Sequence, residues 1–211
     1  LGLGTGLGLA VAGFFLARPR SLPRRGAAVL GLLLLLAAFL FHFRAEDLSR
    51  RWQWPGRQEV AAVDSPYALL TAYREAEQLS FFANNLWQFT YPDPLTAEHQ
   101  VQLALLEHRQ PQRVLLLGGG VAGLVPEILK TASVTHLDYV ELDSQLVQLA
   151  RRLLPASAWP RDPRVRLIYQ PARHYLGQPP DHYDVILVAL PEPRSAQLNR
   201  FYTREFFHLA A

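Results

Sequence analysis

A glycine-rich loop and an acidic residue 23 positions after its first glycine are the features of this chain best suited to chemistry. The loop follows a short apolar run, and its glycines are Gly118, Gly119, Gly120 and Gly123. Glycines allow a tight turn and a close approach to a ligand, and a following helix presents its positive N-terminus. A carboxylate about 20 residues further on can accept hydrogen bonds from ribose hydroxyls. We therefore predict a nucleotide site formed by this loop, Glu141 and Asp143.

Alternating apolar strands and amphipathic helices must position these residues. The predicted strands are Val114–Leu117, His136–Glu141, Val165–Tyr169 and Tyr183–Leu190. The predicted helices between them are Gly123–Lys130, Gln145–Leu153 and Arg173–Leu176. Such alternation requires a parallel sheet with crossover helices. We expect an α/β, Rossmann-like nucleotide-binding domain over residues 96–211, incomplete because the chain stops inside a helical pattern before the last strands.

Residues 60–95 are predicted to form a small antiparallel β unit before this domain. Asn84 and Asn85 separate two β-rich runs, and Asn tolerates the positive φ of a hairpin turn. Thr96 is the expected cap of a helix that runs to about His108.

The first 43 residues are predicted to form two transmembrane helices. Leu1–Leu16 carries no charge, and Gly26–Phe43 has 18 residues without Asp, Glu, Lys or Arg, near the lower limit for a span. A signal peptide is the rival interpretation of the first segment, but no basic region precedes its apolar run. Residues 44–59 would be a juxtamembrane linker. Because the chain does not begin with Met, we expect a piece of a larger membrane domain.

The charge distribution separates the two parts of the chain. Residues 1–57 carry a net charge of +6 and residues 58–211 a net charge of −3, so the basic residues suit lipid head groups and no nucleic-acid partner is expected. The chain has no cysteine, and its seven histidines show no metal-ligand spacing. We predict no metal site.

Several further motifs give the chain a family resemblance. They are Ser65-Pro-Tyr67, the Gly118 loop, Val140-Glu-Leu-Asp143, Asp162-Pro-Arg-Val165, Tyr183-Asp-Val-Ile186 and Ala196–Thr203. In this order they resemble the spermidine synthase (polyamine aminopropyltransferase) family, in its bacterial branch fused to membrane segments. The resemblance implies a class I methyltransferase fold and aminopropyl transfer. It also implies a multi-pass protein of the cytoplasmic (inner) membrane, with its soluble domain facing the cytoplasm. Arginines flank both sides of the second apolar segment, so charge alone does not choose the orientation.

The resemblance also assigns site residues. The ligand would be decarboxylated S-adenosylmethionine or S-adenosylmethionine, with no tightly bound cofactor. Ala172 and Arg173 would join the nucleotide site, and Tyr67 would contact the substrate. The expected partners are the adenosyl nucleotide, a polyamine and membrane lipid, and a homo-oligomer is compatible with the sequence.

The chain departs from the family pattern where that pattern carries acids. Val121 stands where the family's glycine loop normally has the Asp that holds the donor's amine. Ala189 stands where the strand after Tyr183-Asp-Val normally ends in the Asp that acts as the base. Pro171 replaces the acid that meets adenine, and Ala68 replaces a Gln. Glu192 is the surviving acid of the catalytic pair and the candidate catalytic residue. Loss of a positioned base commonly costs about 10²–10⁴-fold in rate.

Three hypotheses follow. The first is a membrane-anchored, spermidine synthase-like transferase, in which Asp93 and Glu98 assist Glu192 in binding the substrate. The second is a non-catalytic nucleotide- or polyamine-binding module coupled to a membrane transport or sensing domain. The third is a structural remnant, in which the glycine loop serves only the packing of a strand against a helix.

Overall fold

The computed structural model describes residues 30–31, 33–37, 39, 58–159, 161–178, 182–190 and 196–210. The chain divides into two compact units, Leu1–Gly56 and Arg57–Ala211. In the first unit, the described residues between 30 and 39 are helical. No helix among the described residues is long and apolar enough to cross a bilayer. Most of both predicted spans lies outside the described residues, so the two transmembrane helices stay a prediction.

The second unit begins with an antiparallel sheet of four strands in sequence order. Its strands are β1 (Gln58–Asp64), β2 (Leu69–Glu75), β3 (Gln78–Ala83) and β4 (Leu86–Tyr91). The hairpin predicted at Asn84 and Asn85 is present, with φ values of 49° and 64°. Two consecutive positive φ values match the twist of the flanking strands, and Ala83 pairs with Leu86 across the turn. β1 begins at Gln58, two residues before the predicted β unit.

Helix α1 (Pro94–Leu106) leads from this sheet into the α/β part. Its cap is Asp93, whose Oδ1 accepts a 3.1 Å hydrogen bond from the Thr96 backbone N–H. The prediction of Thr96 as the cap was therefore wrong by three residues. Pro94 explains the difference, because proline lacks an N–H and its fixed φ suits the first helical position.

The α/β part alternates strands and helices along the chain. Its strands are β5 (Arg113–Leu117), β6 (His136–Glu141), β7 (Val165–Tyr169) and β8 (Val185–Val188). Its helices are α2 (Leu124–Leu129), α3 (Ser144–Leu153), α4 (Ala172–Gly177), α5 (Ala196–Asn199) and α6 (Arg204–Ala210). The four strands are parallel, in the order β7-β6-β5-β8. This order is that of a Rossmann-like sheet, as predicted, with the first strand central.

β5 is buried on both faces, which explains its continuous apolar sequence. Val114 and Leu116 belong to the core shared with α1 and α2, whereas Leu115 and Leu117 belong to the core shared with α4 and α6. Successive side chains of a strand point to opposite faces, so this one strand anchors both layers of helices.

β8 is shorter than predicted at both ends. Tyr183 lies before the strand, and its hydroxyl donates to the carboxylate of Asp138 on β6. Asp184 accepts hydrogen bonds from the backbone N–H groups of Gln112 and Arg113, both 2.8 Å long. Regular pairing of β8 with β5 begins at Val185, opposite Val114.

Candidate nucleoside site

The ends of the four parallel strands meet at one edge of the sheet. The backbone N–H of Gly118 donates to the Val140 carbonyl over 2.9 Å, joining the loop after β5 to the end of β6. The Ala189 N–H donates to the Leu117 carbonyl over 2.9 Å, and the Gln170 N–H to the Glu141 carbonyl over 3.1 Å. The carboxyl edge of a parallel sheet is where ligands of such folds bind. The predicted residues 118–120, 141, 143 and 172–173 therefore lie along one edge.

The glycine loop runs close to its neighbours at two positions. A Cβ atom at Gly119 would lie 2.6 Å from the Cβ of Ala189, and its φ of +69° disfavours other residues. A Cβ atom at Gly120 would lie 2.5 Å from the ring of Tyr139. These two glycines are therefore required by the packing of the loop, whether or not a ligand is bound. At the end of the loop, Gly123 faces Tyr91 and Ala97.

Glu141 is the half-buried last residue of β6. Its Oε2 accepts a 2.7 Å hydrogen bond from the Tyr139 hydroxyl. Its Oε1 accepts the backbone N–H groups of Leu142 and Asp143, over 2.8 and 3.3 Å. Burial raises the pKa of Glu141 above its usual value, and these three hydrogen bonds partly offset that increase. The carboxylate is thus held in one orientation beside the glycine loop.

Asp143 is largely buried and caps helix α3. Its Oδ1 accepts the Gln145 backbone N–H over 2.9 Å. An Asp at this position is a favourable N-cap, so its carboxylate already has a structural role. Its own N–H donates to Glu141, and through that bond Asp143 supports the site.

Ala172 and Arg173 begin helix α4 after β7. Ala172 is buried in the core with Leu117 and Val140. The Arg173 guanidinium donates to the Arg200 carbonyl over 3.1 Å. Arg173 therefore ties the edge of the sheet to the segment between α5 and α6.

The remaining predicted residues occupy different places. Tyr67 is exposed in the turn between β1 and β2, Asp93 caps α1, and Glu98 is exposed on α1. The charge of Glu98 contributes to raising the pKa of Lys130. The expectation that Asp93 and Glu98 bind substrate stays a prediction, and Glu192 lies outside the described residues.

Val121 and Ala189, where the family pattern has acids, differ in their surroundings. Val121 is only 2% exposed and belongs to an apolar cluster with Leu70, Phe81 and Ala150. It also lines a cavity of about 370 Å³. Ala189 is half-buried against Gly119 at the open edge of the sheet. The loop side of the site is therefore apolar, whereas the β8 side has a small residue.

Tyr139 is the residue of this site that sequence reasoning missed. It is fully buried, contacts Gly120 and donates to Glu141. An aromatic residue in a buried strand is ordinarily a core residue, which concealed its role. The available signal was its position two residues before Glu141, because residues i and i+2 of a strand share one face.

Within the ranges that the structure describes, no group of three or more His, Asp or Glu residues is arranged to hold a metal ion.

Comparison with known proteins places this geometry in a family. Residues 95–211 match the spermine/spermidine synthase domain. Polyamine aminopropyltransferase 2 of Ralstonia nicotianae is 31% identical over 193 residues, covering 88% of this chain and 38% of that protein. The polyamine aminopropyltransferase of Methanocaldococcus jannaschii is 32% identical over 152 residues, covering 71% of this chain and 48% of that protein. The chain thus spans between a third and a half of the length of these relatives.

Two solved structures show the same fold. A spermidine synthase in complex with the transition state analogue AdoDATO superposes with a TM-score of 0.66 and 22% identity, covering 72% of this chain and 53% of that one. Spermidine synthase from Thermotoga maritima gives a TM-score of 0.58 and 22% identity, covering 63% and 48%. Because the domain match covers more than half of the sequence, this chain belongs to the spermine/spermidine synthase family.

Proposed function

We propose that the carboxyl edge of the parallel sheet binds an adenosyl nucleoside of the S-adenosylmethionine or decarboxylated S-adenosylmethionine type. The observation that carries the proposal is the placement of Glu141, whose carboxylate is fixed by three hydrogen bonds beside the glycine loop. A carboxylate in this position can accept hydrogen bonds from ribose hydroxyls. A solved spermidine synthase of the same fold binds the analogue AdoDATO, which supports this ligand class.

The site supports nucleoside binding better than fast aminopropyl transfer. In that reaction the acceptor nitrogen attacks a carbon attached to the sulfonium, the carbon–sulfur bond breaks, and sulfur keeps the electron pair. The attacking amine must lose a proton, so a base must be positioned near it. Val121 and Ala189 cannot accept a proton or hold a cationic amine. We therefore propose binding of the nucleoside with slow or undetectable transfer to putrescine.

A non-catalytic binding module is the second candidate, and the burial of Val121 favours it. A valine integrated into an apolar cluster at the loop leaves no anionic partner for an amine at that point. A module that binds a nucleoside can still shift a conformational equilibrium elsewhere in a larger protein, provided that it binds two states differently.

Membrane attachment of residues 1–43 is the last part of the proposal, and it rests on sequence alone. The apolar segments Leu1–Leu16 and Gly26–Phe43, joined by an arginine-rich loop, support it.

Isothermal titration calorimetry of the chain tests the proposed binding. The ligands are S-adenosylmethionine, its decarboxylated form and methylthioadenosine. Glu141→Ala should weaken binding at least tenfold, because each lost hydrogen bond to a charged group costs about 1.5–3 kcal/mol. The matched control is Glu107→Gln at an exposed position after α1, which should leave the affinity unchanged. Equal affinities in the wild type and Glu141→Ala would sink the proposal.

A further inference from the structure

We infer that Tyr139 is a positioning residue whose hydroxyl fixes the Glu141 carboxylate against the glycine loop and thereby sets the nucleoside affinity. The inference deepens the proposed function and rests on it. Tyr139 would act through Glu141 and not by touching the ligand, because its side chain is fully buried.

The contact with Glu141 is direct. The Tyr139 hydroxyl donates to Oε2 over 2.7 Å, within the range of a good O–H···O bond. Both residues belong to β6 and are separated by one residue, so their side chains share one face of the sheet. The backbone N–H groups of Leu142 and Asp143 hold the other oxygen. Without the phenol, only Oε1 of this carboxylate would have a protein donor among the described residues.

The same phenol is in contact with the loop. Its ring atoms would lie 2.5–2.7 Å from a Cβ atom at Gly120, so the glycine and the ring are complementary in shape. The backbone of Gly120 lowers the pKa of Tyr139, against the increase that burial and Glu141 cause. Tyr139 therefore connects the two halves of the nucleoside site, the loop after β5 and the acid at the end of β6.

The protonation states of the pair fit a fixed donor and acceptor. Burial and the negative charge of Glu141 raise the pKa of Tyr139 well above its usual value, so the phenol keeps its proton. Burial raises the pKa of Glu141, while the bond from Tyr139 lowers it. Removing the hydroxyl should therefore raise the pKa of Glu141 further. As the pH is lowered, binding that requires the carboxylate should then be lost at a higher pH than in the wild type.

A tyrosine that only fills the core would behave differently. Its ring packs at 5.6 Å from the ring of Trp159, and phenylalanine would keep that contact. A core role predicts that Tyr139→Phe lowers stability without changing the titration of Glu141. A positioning role predicts a change in that titration and in the pH dependence of nucleoside binding.

The test combines two measurements on Tyr139→Phe in the full chain. The first is a ¹³C NMR titration of side-chain carboxyl-labelled glutamate without ligand, with the Glu141 signal assigned through Glu141→Gln. We expect the midpoint to rise by about one pH unit. The second is the affinity for methylthioadenosine from pH 5 to 8. We expect the affinity to fall at least tenfold, and the pH below which binding is lost to rise by the same amount as the Glu141 midpoint.

Tyr73→Phe is the matched control. Tyr73 is also buried and donates to a glutamate, Glu59, but within the antiparallel sheet. It should change neither measurement. A second variant guards against misfolding: 3-fluorotyrosine at position 139 keeps the shape and donates more strongly, so the Glu141 midpoint should fall.

The outcomes separate this inference from the proposed function. If the wild type binds no nucleoside, the proposed function fails, and the positioning of a nucleoside acid fails with it. The other outcome is a wild type that binds while neither Tyr139→Phe nor fluorotyrosine moves the Glu141 midpoint or the pH below which binding is lost. In that case the inference is overturned and the proposed function stands.

Discussion

Asp138 on β6 and Arg166 on β7 form a bidentate ion pair within the sheet. Arg166 Nε lies 2.8 Å from Oδ1, and Nη2 lies 2.6 Å from Oδ2. The hydroxyls of Tyr175 and Tyr183 also donate to Oδ2. Asp138 is fully buried, and a buried carboxylate is tolerated only with such a set of donors. This network lies on the strand that carries Glu141 and ties β6 to β7, α4 and the segment before β8.

Asp138→Asn should lower the free energy of unfolding at pH 7 by on the order of 3 kcal/mol, because Arg166 loses its charged partner. Burial by itself would raise the pKa of Asp138, but the hydrogen bonds from Arg166, Tyr183 and Tyr175 outweigh it and lower that pKa below its usual 3.8. Its contribution to stability is therefore complete above about pH 4 and is lost as the pH falls through the lower folded pKa.

Denaturant unfolding of the wild type and Asp138→Asn at pH 2–7 checks both effects. The variant should lose less stability than the wild type as the pH falls below 4. Glu107→Gln, which changes an exposed carboxyl group, should follow the wild type. Parallel pH profiles for Asp138→Asn and the wild type would show that the network does not stabilise the fold through the charge of Asp138.

Val121→Asp should be destabilising. The substitution places a carboxylate at a position that is 2% exposed and surrounded by an apolar cluster. We expect a loss of about 2–3 kcal/mol, because the group must either desolvate its charge or take up a proton. Val121→Ala is the control, since it removes apolar contacts without adding charge and should cost about 1–2 kcal/mol. Thermal unfolding that ranks the aspartate variant above the alanine variant in stability would contradict the apolar character of this side of the loop.

Aminopropyl transfer from decarboxylated S-adenosylmethionine to putrescine should be undetectable or very slow in the wild type. Ala189→Asp should be better tolerated than Val121→Asp, because Ala189 is half-buried at the edge of the sheet. It should raise any residual rate by supplying a proton acceptor, and Ala189→Asn, which cannot accept the proton, should not. Release of methylthioadenosine measures the rate. Turnover by the wild type at roughly 1 s⁻¹ or faster, an ordinary enzymatic rate, would show that Val121 and Ala189 do not prevent catalysis.

Residues 1–43 should keep the protein in the membrane pellet after alkaline carbonate washing, because apolar spans are not stripped as peripheral contacts are. A variant that lacks residues 1–43 is the control and should appear in the supernatant. Release of the full chain by carbonate would mean that these apolar segments do not span the bilayer.

Local patterns predicted much of the fold. The bounds of β6 and β7 follow from short apolar runs between turn residues, and the hairpin follows from the tolerance of Asn84 and Asn85 for positive φ. The start of α1 was misplaced, because Asp93 and Thr96 are both capping residues and Pro94 decides between them. Such errors at boundaries arise because neighbouring residues compete for one structural role.

The candidate site was recognisable in the sequence only where residue type alone suggests a role, and its function stays a prediction. Glycines and a terminal acid indicate a nucleotide loop, but Tyr139 and Asp138 acquire their roles from partners that sequence does not place beside them. The hydroxyl of Tyr139 bonds Glu141, and Asp138 is surrounded by donors from β7, α4 and the segment before β8. The carboxylate of Asp93 is occupied by the cap of α1, a role that Pro94 at the first helical position indicates in the sequence.

The central claim, that Glu141 holds the ribose of an adenosyl nucleoside, is tested most directly by pairing a change in the protein with a change in the sugar. The affinities of the wild type and Glu141→Gln are measured for methylthioadenosine and for its 2′-deoxy analogue. The wild type should prefer the ribose ligand at least tenfold, through a charged hydrogen bond worth about 1.5–3 kcal/mol, and Glu141→Gln should lose most of that preference. A wild type that binds both ligands equally, or a variant that keeps the full preference, would contradict the account.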